Sequence, residues 1–131
     1  MMMMNEETVT IVLPLPPAVL SPNRPCGSRG GRIKKAAVTK KCRRLAREQV
    51  EEMHVESGPW DKAQVKAVFY HAQKRRRDEW NYAAMLKGYV DGVVDAGLLV
   101  DDDSEHLTTL PVGFEIDRKC PRVELTFFRD V

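Results

Sequence analysis

The sequence predicts one α+β domain, close to the α/β class, in which a mixed sheet packs against two main helices. Its length of 131 residues is typical of a single domain, so we assign residues 1–131 to one unit. Apolar residues follow strand patterns in some segments and helical patterns in others. These segments follow one another in the order β-α-β-α-β-β, which favours a sheet covered by helices.

Composition is that of an ordinary globular protein, with 43% hydrophobic and 31% charged residues. No apolar run approaches the ~20 residues that a membrane span needs. The start, MMMMNEETVT, lacks the basic region of a signal peptide, and residues 1–7 are predicted to be disordered. Cys26, Cys42 and Cys120 fit no zinc spacing and are odd in number, which indicates reduced thiols. We therefore expect a cytoplasmic protein.

The first half of the chain predicts a strand, a loop and a helix. Thr8–Leu13 is β-branched and apolar throughout, which is typical of a buried strand, and the prolines after it end the strand. Residues 18–35 are rich in proline, glycine and basic side chains, and we predict a mobile basic loop there. From about residue 36 a helical pattern begins, with apolar residues at steps of three and four: Val38, Cys42, Leu45, Ala46, Val50 and Met53.

The second half predicts another strand, a helix and two final strands. Residues 64–72 form the strand, with Trp60 before it in the core and His71 near its end as a packed side chain. An amphipathic helix follows the basic run 74–77 and ends at Gly97, which suits a left-handed C′ position. Residues 107–116 and 122–128 read as the last two strands.

Charge is distributed unevenly along the chain, although the net charge is only +2. Residues 24–47 contain ten Lys or Arg and no Asp or Glu, which indicates a polyanionic partner. The alternative is a solvated or disordered basic loop. The residues predicted to contact a phosphate backbone are Arg24, Arg29, Arg32, Lys34, Lys35, Lys40, Lys41, Arg75, Arg76 and Arg77.

Acidic residues flank the second helix at both of its ends. Asp78 and Glu79 precede it, and residues 101–103 are three consecutive aspartates beyond it. If the fold brings the two ends together, the carboxylates beside arginines suit a divalent metal and a phosphate. Three structural alternatives stay open: Asp78 as a helix N-cap, residues 101–103 as an exposed acidic turn, and Lys87 with Asp91 as a solvated ion pair.

Four features in order along the chain carry a family resemblance. The first strand leads into IVLPLPPAVLSPN, and a basic run precedes Asp78 and Asn81. A helix then places Lys87 and Asp91 four residues apart, and the segment DAGLLVDD follows. Together, over essentially the whole chain, these features resemble the RusA family of Holliday junction resolvases. Members of that family are small endonucleases of bacteria and phages that cut four-way DNA junctions.

The resemblance implies a set of site residues and partners. Asp78, Asp102 and Lys87 would be catalytic, and Mg²⁺, with Mn²⁺ as an alternative, would be held by Asp78 and Asp102. Glu79 and Asp101 are second choices as metal ligands. A homodimer acting on branched DNA is implied, in the bacterial or phage-infected cell, with neither a membrane nor a small-molecule cofactor. The carboxylates of Asp78 and Asp102 are then expected within reach of one metal ion.

One position departs from the family pattern. Trp80 stands where the family has its middle aspartate, and an indole does not bind magnesium. The interval between Asn81 and Lys87 is also longer than in familiar members. An alternative is therefore a junction- or DNA-binding relative with weak or lost nuclease activity. A nucleic-acid-binding protein outside the family is a third reading, against which no helix-turn-helix or zinc-finger pattern is visible.

Overall fold

A five-stranded mixed sheet forms one layer of the fold in the computed structural model, which describes residues 7–22 and 28–130. Its strands are β1 (Thr8–Leu13), β2 (Ala63–His71), β3 (Leu107–Thr109), β4 (Gly113–Ile116) and β5 (Arg122–Arg129). β5 lies between β1 and β2 and is antiparallel to both. β3 and β4 share the other edge of β2, to which both are parallel. The predicted α+β class with a mixed sheet is confirmed.

The predicted strand 107–116 is in fact two short strands. Pro111 lies between them, and a proline has no N–H to donate to the ladder. Leu110 still donates its N–H to the Val65 carbonyl at 2.9 Å, so the chain stays beside β2 while it passes the interruption. β4 then pairs with the second half of β2.

Helix α1 (Arg29–Glu52) begins well before the predicted start near residue 36. The Ser28 hydroxyl accepts a hydrogen bond from the Gly31 N–H at 3.0 Å, which caps the helix. The prediction of a loop over 18–35 was thus wrong for residues 29–35. Ala18–Leu20 forms a 3₁₀ turn, and residues 23–27 lie outside the described part of the chain.

The predicted second helix is divided into α2 (Glu79–Ala84) and α3 (Lys87–Asp95). Met85 and Leu86 join them with ψ angles of −12° and −5°, and this bend turns both side chains into the core. Gly97 follows α3 with a φ of +89°, as the sequence predicts for a left-handed C′ glycine. α1 and α3 are the two main helices.

The core lies between the sheet and these helices. Alternate residues of β1, β2 and β5 are buried, so the prediction that β1 is buried throughout was wrong: one face of this strand, which includes Val12, is exposed. The predicted core positions Cys42 and Trp60 are confirmed. Glu7, predicted to be disordered with residues 1–6, accepts a hydrogen bond from the Ser57 hydroxyl at 2.5 Å, whereas residues 1–6 lie outside the described chain. None of the helices in the described part of the chain has the length and hydropathy of a membrane-spanning segment.

Candidate functional site

Three charged side chains meet where α3 begins. Lys87 is the first residue of α3, Asp91 lies one turn later, and Asp102 belongs to the loop that follows the helix. The Lys87 Nζ donates to Asp91 Oδ1 at 2.8 Å and to Asp102 Oδ2 at 2.5 Å. Residues distant in sequence therefore converge on one point.

The return of Asp102 to the start of α3 has a definite structural cause. The Trp60 N–H donates to the Leu98 carbonyl at 2.7 Å, and the Val100 N–H donates to the Trp60 carbonyl at 3.0 Å. This short parallel bridge, with Leu98 and Leu99 buried beneath it, fixes the segment after Gly97 against the core. The apolar step LLV thus positions the aspartates that follow it.

Hydrogen bonds between Lys87 and Asp102 favour the charged forms of both side chains. The hydrogen bond from Lys87 lowers the pKa of Asp102, whose side chain is 18% exposed. Hydrogen bonds to Asp102 and then to Asp91 raise the pKa of Lys87. The Lys87 side chain is 65% exposed, so its ammonium can reach an anion in solvent while the two carboxylates stay partly buried.

The other predicted metal ligands each accept a hydrogen bond from a backbone N–H. Asp78 Oδ1 accepts from the Trp80 N–H at 3.0 Å, which confirms the helix N-cap alternative for this residue. Glu79 Oε1 accepts from the Val112 N–H at 2.9 Å, and Asp101 Oδ1 accepts from the Asp102 N–H at 2.7 Å. The ion pair between Lys87 and Asp91, which the sequence left open as an alternative, is also present. Asp102 joins it as a second carboxylate on the same ammonium.

The residues around Lys87 suit a divalent metal through the chemistry of their carboxylate oxygens rather than through a preformed group of ligands. Within residues 7–22 and 28–130, no group of three or more His, Cys, Asp or Glu side chains is gathered closely enough to hold a metal ion. The carboxylates of Asp91 and Asp102 nevertheless share one cation, the Lys87 ammonium, and carboxylate oxygens are the ligands that magnesium takes. Asp91 was not among the predicted metal ligands, although its spacing of four residues from Lys87 predicted an ion pair.

A cavity of about 430 Å³ opens beside Lys87, between α2, α3 and the sheet. Sequence reasoning missed this space, because it is formed by apolar residues from distant segments. Trp80 lies on its wall although the side chain is 88% exposed. The remaining lining residues are mostly apolar: Val65, Ala67, Ala83, Ala84, Leu86, Lys87, Val90, Asp102, Leu107, Thr109, Val112 and Leu125.

The basic residues of the first half gather along α1. An open groove on this helix is lined by predicted DNA contacts, namely Arg32, Lys35, Lys40 and Lys41, together with Arg43, Arg44 and Arg47. Arg29 and Lys34 belong to the same helix but do not line the groove, and Arg24 lies outside the described residues. Arg43 makes a two-pronged salt bridge to Asp95 of α3, which draws this arginine toward the helix pair.

The second basic segment, residues 74–77, is an irregular loop before α2. Lys74, Arg75 and Arg76 are exposed, whereas Arg77 is half-buried and donates to the Tyr82 hydroxyl at 2.8 Å. Burial and then the nearby Arg77 charge lower the pKa of His71, whose ring stacks among aromatic side chains. His71 is therefore packed, as predicted, and Arg77 has a structural role.

Comparisons with known proteins give little. No protein-family model matches the chain, and no curated protein matches it significantly. Among solved structures, thiamine-monophosphate kinase from Stenotrophomonas maltophilia is similar with a TM-score of 0.37 and 10% identity. That match covers 97% of this chain but only 32% of the kinase chain, so this chain spans about a third of its length.

Proposed function

We propose that this protein is a magnesium-dependent endonuclease that binds four-way DNA junctions and nicks them symmetrically, as the RusA family does. The observation that carries the proposal is the convergence of Asp91 and Asp102 on Lys87, at a cavity that residues of α2 also line. An acidic group with an exposed lysine, on a domain with a basic groove, suits hydrolysis of a phosphodiester. DNA recombination, DNA repair and phage DNA processing are the settings for such an activity.

Each residue of the candidate site has a proposed role. Lys87 is charged and exposed, so its ammonium would contact a non-bridging phosphate oxygen and stabilise charge developing there. Asp102 and Asp78 would hold Mg²⁺, or Mn²⁺ in its place, with Glu79, Asp101 and Asp91 as further oxygen donors. A metal ion held there would supply charge stabilisation and a water of lowered pKa.

The groove on α1 would hold the DNA backbone. Its lysines and arginines, with the exposed Lys74, Arg75 and Arg76, offer charge without a pattern that reads bases. Binding through phosphates weakens steeply with salt and carries little sequence information. Because a four-way junction is nearly two-fold symmetric and needs two matched nicks, a homodimer with two acidic sites is part of the proposal.

A nicking assay tests the function directly. A synthetic four-way junction and a linear duplex of the same sequence are incubated with the protein, with and without magnesium. We expect paired nicks in the junction, only with magnesium, and an intact duplex. Equal cutting of both substrates, or none of either with no junction binding, would refute the proposal.

A second candidate is a junction-binding protein that has lost cutting. It is favoured by Trp80, which supplies no carboxylate where the family has one, and by the ion pairs that already join Lys87 to Asp91 and Asp102. Under this candidate the junction binds at low salt and stays intact with magnesium. The variant Trp80→Asp, which adds the missing carboxylate, would then restore nicking.

A further inference from the structure

Two tryptophans of this chain have opposite environments. Trp60 is fully buried and donates its indole N–H to the Ser57 hydroxyl at 2.8 Å. Trp80 is 88% exposed at the start of α2. An indole carries a large apolar surface, which is costly to leave in water. Trp80 is therefore a side chain that a ligand can cover with a gain in free energy.

The surroundings of Trp80 indicate the chemistry of that ligand. The indole borders the 430 Å³ cavity, whose walls are mainly aliphatic, including Ala83, Val90 and Leu125. The exposed ammonium of Lys87 lies on the same cavity, and the exposed cations of residues 74–76 precede Trp80 closely in the chain. A flat apolar group attached to an anion fits both features.

We propose that Trp80 is a stacking platform for one unpaired nucleobase of branched DNA, which lies on the indole and against the cavity. This inference rests on the proposed function, since it names how the same site holds its DNA. The aromatic face would cover the base, and Lys87 would contact the phosphate beside it. At a branch point the helices part, so unstacking a base there costs less than within a continuous duplex.

Stacking on Trp80 makes a specific prediction for affinity. Base–aromatic stacking contributes ~1–3 kcal/mol by alanine substitution, so Trp80→Ala should weaken junction binding by about 5- to 150-fold. Trp80→Phe keeps an aromatic face and should keep most of the affinity. Met53→Ala is the matched control, since Met53 is an exposed apolar side chain (45%) at the end of α1, away from the cavity lining.

Fluorescence anisotropy with a labelled four-way junction gives these affinities, without added magnesium so that nothing is cut. Titrations at several salt concentrations separate stacking from charge: Trp80→Ala should lower the affinity while the slope of log K against log [salt] stays unchanged. Protein emission gives a second readout. Because Trp60 is buried, quenching by acrylamide reports on Trp80, and the junction should protect it.

The outcomes separate the inference from the function. If the wild-type protein binds no junction, the proposed function fails. If it binds, but Trp80→Ala binds equally and acrylamide quenching is unchanged, the stacking inference alone fails. Sedimentation that shows a dimer for the wild type and a monomer for Trp80→Ala would also overturn it, since a second copy of the chain would then cover the indole. Matching melting temperatures for all variants confirm that they fold.

Discussion

The two sides of α3 differ sharply in how they are packed. Toward α1 the helix presents Gly88 and Gly92, and a Cβ added at Gly92 would lie 2.1 Å from the Arg43 carbonyl oxygen. Asp95 adds the salt bridge to Arg43 on the same side. Toward α2 and the sheet, Lys87 and Val90 border an open cavity instead. Helix α3 is thus closely packed against α1 on one side and borders an open cavity on the other.

This difference has a functional meaning under the proposed activity. A site performs chemistry best when its side chains stand on a rigid element, and close packing of two helix backbones supplies that rigidity. Lys87 and Asp91 are carried by the helix whose other side is fixed against α1. We expect substitutions on the cavity side to change function, and substitutions on the α1 side to change stability.

The largest effect should come from the cavity side. Asp102→Asn removes a carboxylate that contacts Lys87, and we expect nicking of a four-way junction to fall about 100-fold or more. Junction affinity should stay equal or rise, because a negative charge is lost. Stability should change by less than ~1 kcal/mol, since the partner lysine is largely exposed and screened.

Asp103→Asn is the matched control for that variant. It makes the same change of charge one residue later, and Asp103 is 50% exposed and accepts hydrogen bonds from the Glu105 and His106 N–H groups, which asparagine can replace. Normal nicking by Asp103→Asn with loss in Asp102→Asn would assign the effect to position 102. If circular dichroism shows instead that Asp102→Asn is unfolded, Asp102 has a structural role.

The next effect should come from the α1 side. Gly92→Ala forces a methyl group against backbone that cannot move without separating the helices, and overpacking of this kind costs ~1–3 kcal/mol or more. Gly30→Ala is the control, because the space beside Gly30 is open and alanine favours a helix. Urea unfolding should show a lower midpoint for Gly92→Ala and an equal or higher one for Gly30→Ala.

Periodicity and turn chemistry made much of the fold predictable. Alternation identified β5, and Gly97 marked the end of α3. β1 was identified from its run of β-branched and apolar residues, although only alternate residues of it are buried. The start of α1 was missed because Gly30 and Gly31 resemble a loop, whereas the capping hydroxyl of Ser28 and the long amphipathic pattern after it outweigh them. The bend at Met85 has no sequence signal of its own, since both joining residues are ordinary helix formers.

The candidate site was predictable only in part. The pairing of Lys87 with Asp91 follows from their spacing of four residues, and the bridge between Trp60 and Leu99 that returns Asp102 to them does not. A bridge between segments so far apart in the chain depends on tertiary structure rather than on local pattern. For the same reason the cavity, whose walls come from α2, α3 and three strands, was outside the reach of sequence reasoning.

A smaller effect is expected in the basic groove on α1. Lys40→Ala removes one exposed charge that lines it, so the negative slope of log K against log [salt] for junction binding should become shallower by about 0.9. Lys119→Ala removes the same charge outside the groove and should leave the slope unchanged. Equal slopes for Lys40→Ala and the wild type would place the DNA on another surface.

The smallest effect should be the dependence on pH of the contact between α1 and α3. The Arg43 guanidinium, through its hydrogen bonds, lowers the pKa of Asp95 in the folded protein below the value of about 3.9 of the unfolded chain. The carboxylate then stabilises the fold above that unfolded value, and the contribution disappears as the pH falls through the lower folded value. Urea midpoints of the wild type and Asp95→Asn should therefore differ most near neutral pH and converge in acid.

The control for Asp95→Asn is the replacement of an exposed carboxylate, such as that of Glu105, by glutamine. A gap between wild type and Asp95→Asn that persists below pH ~2 would mean that the two helices are held together here by shape alone, as they are at Gly92.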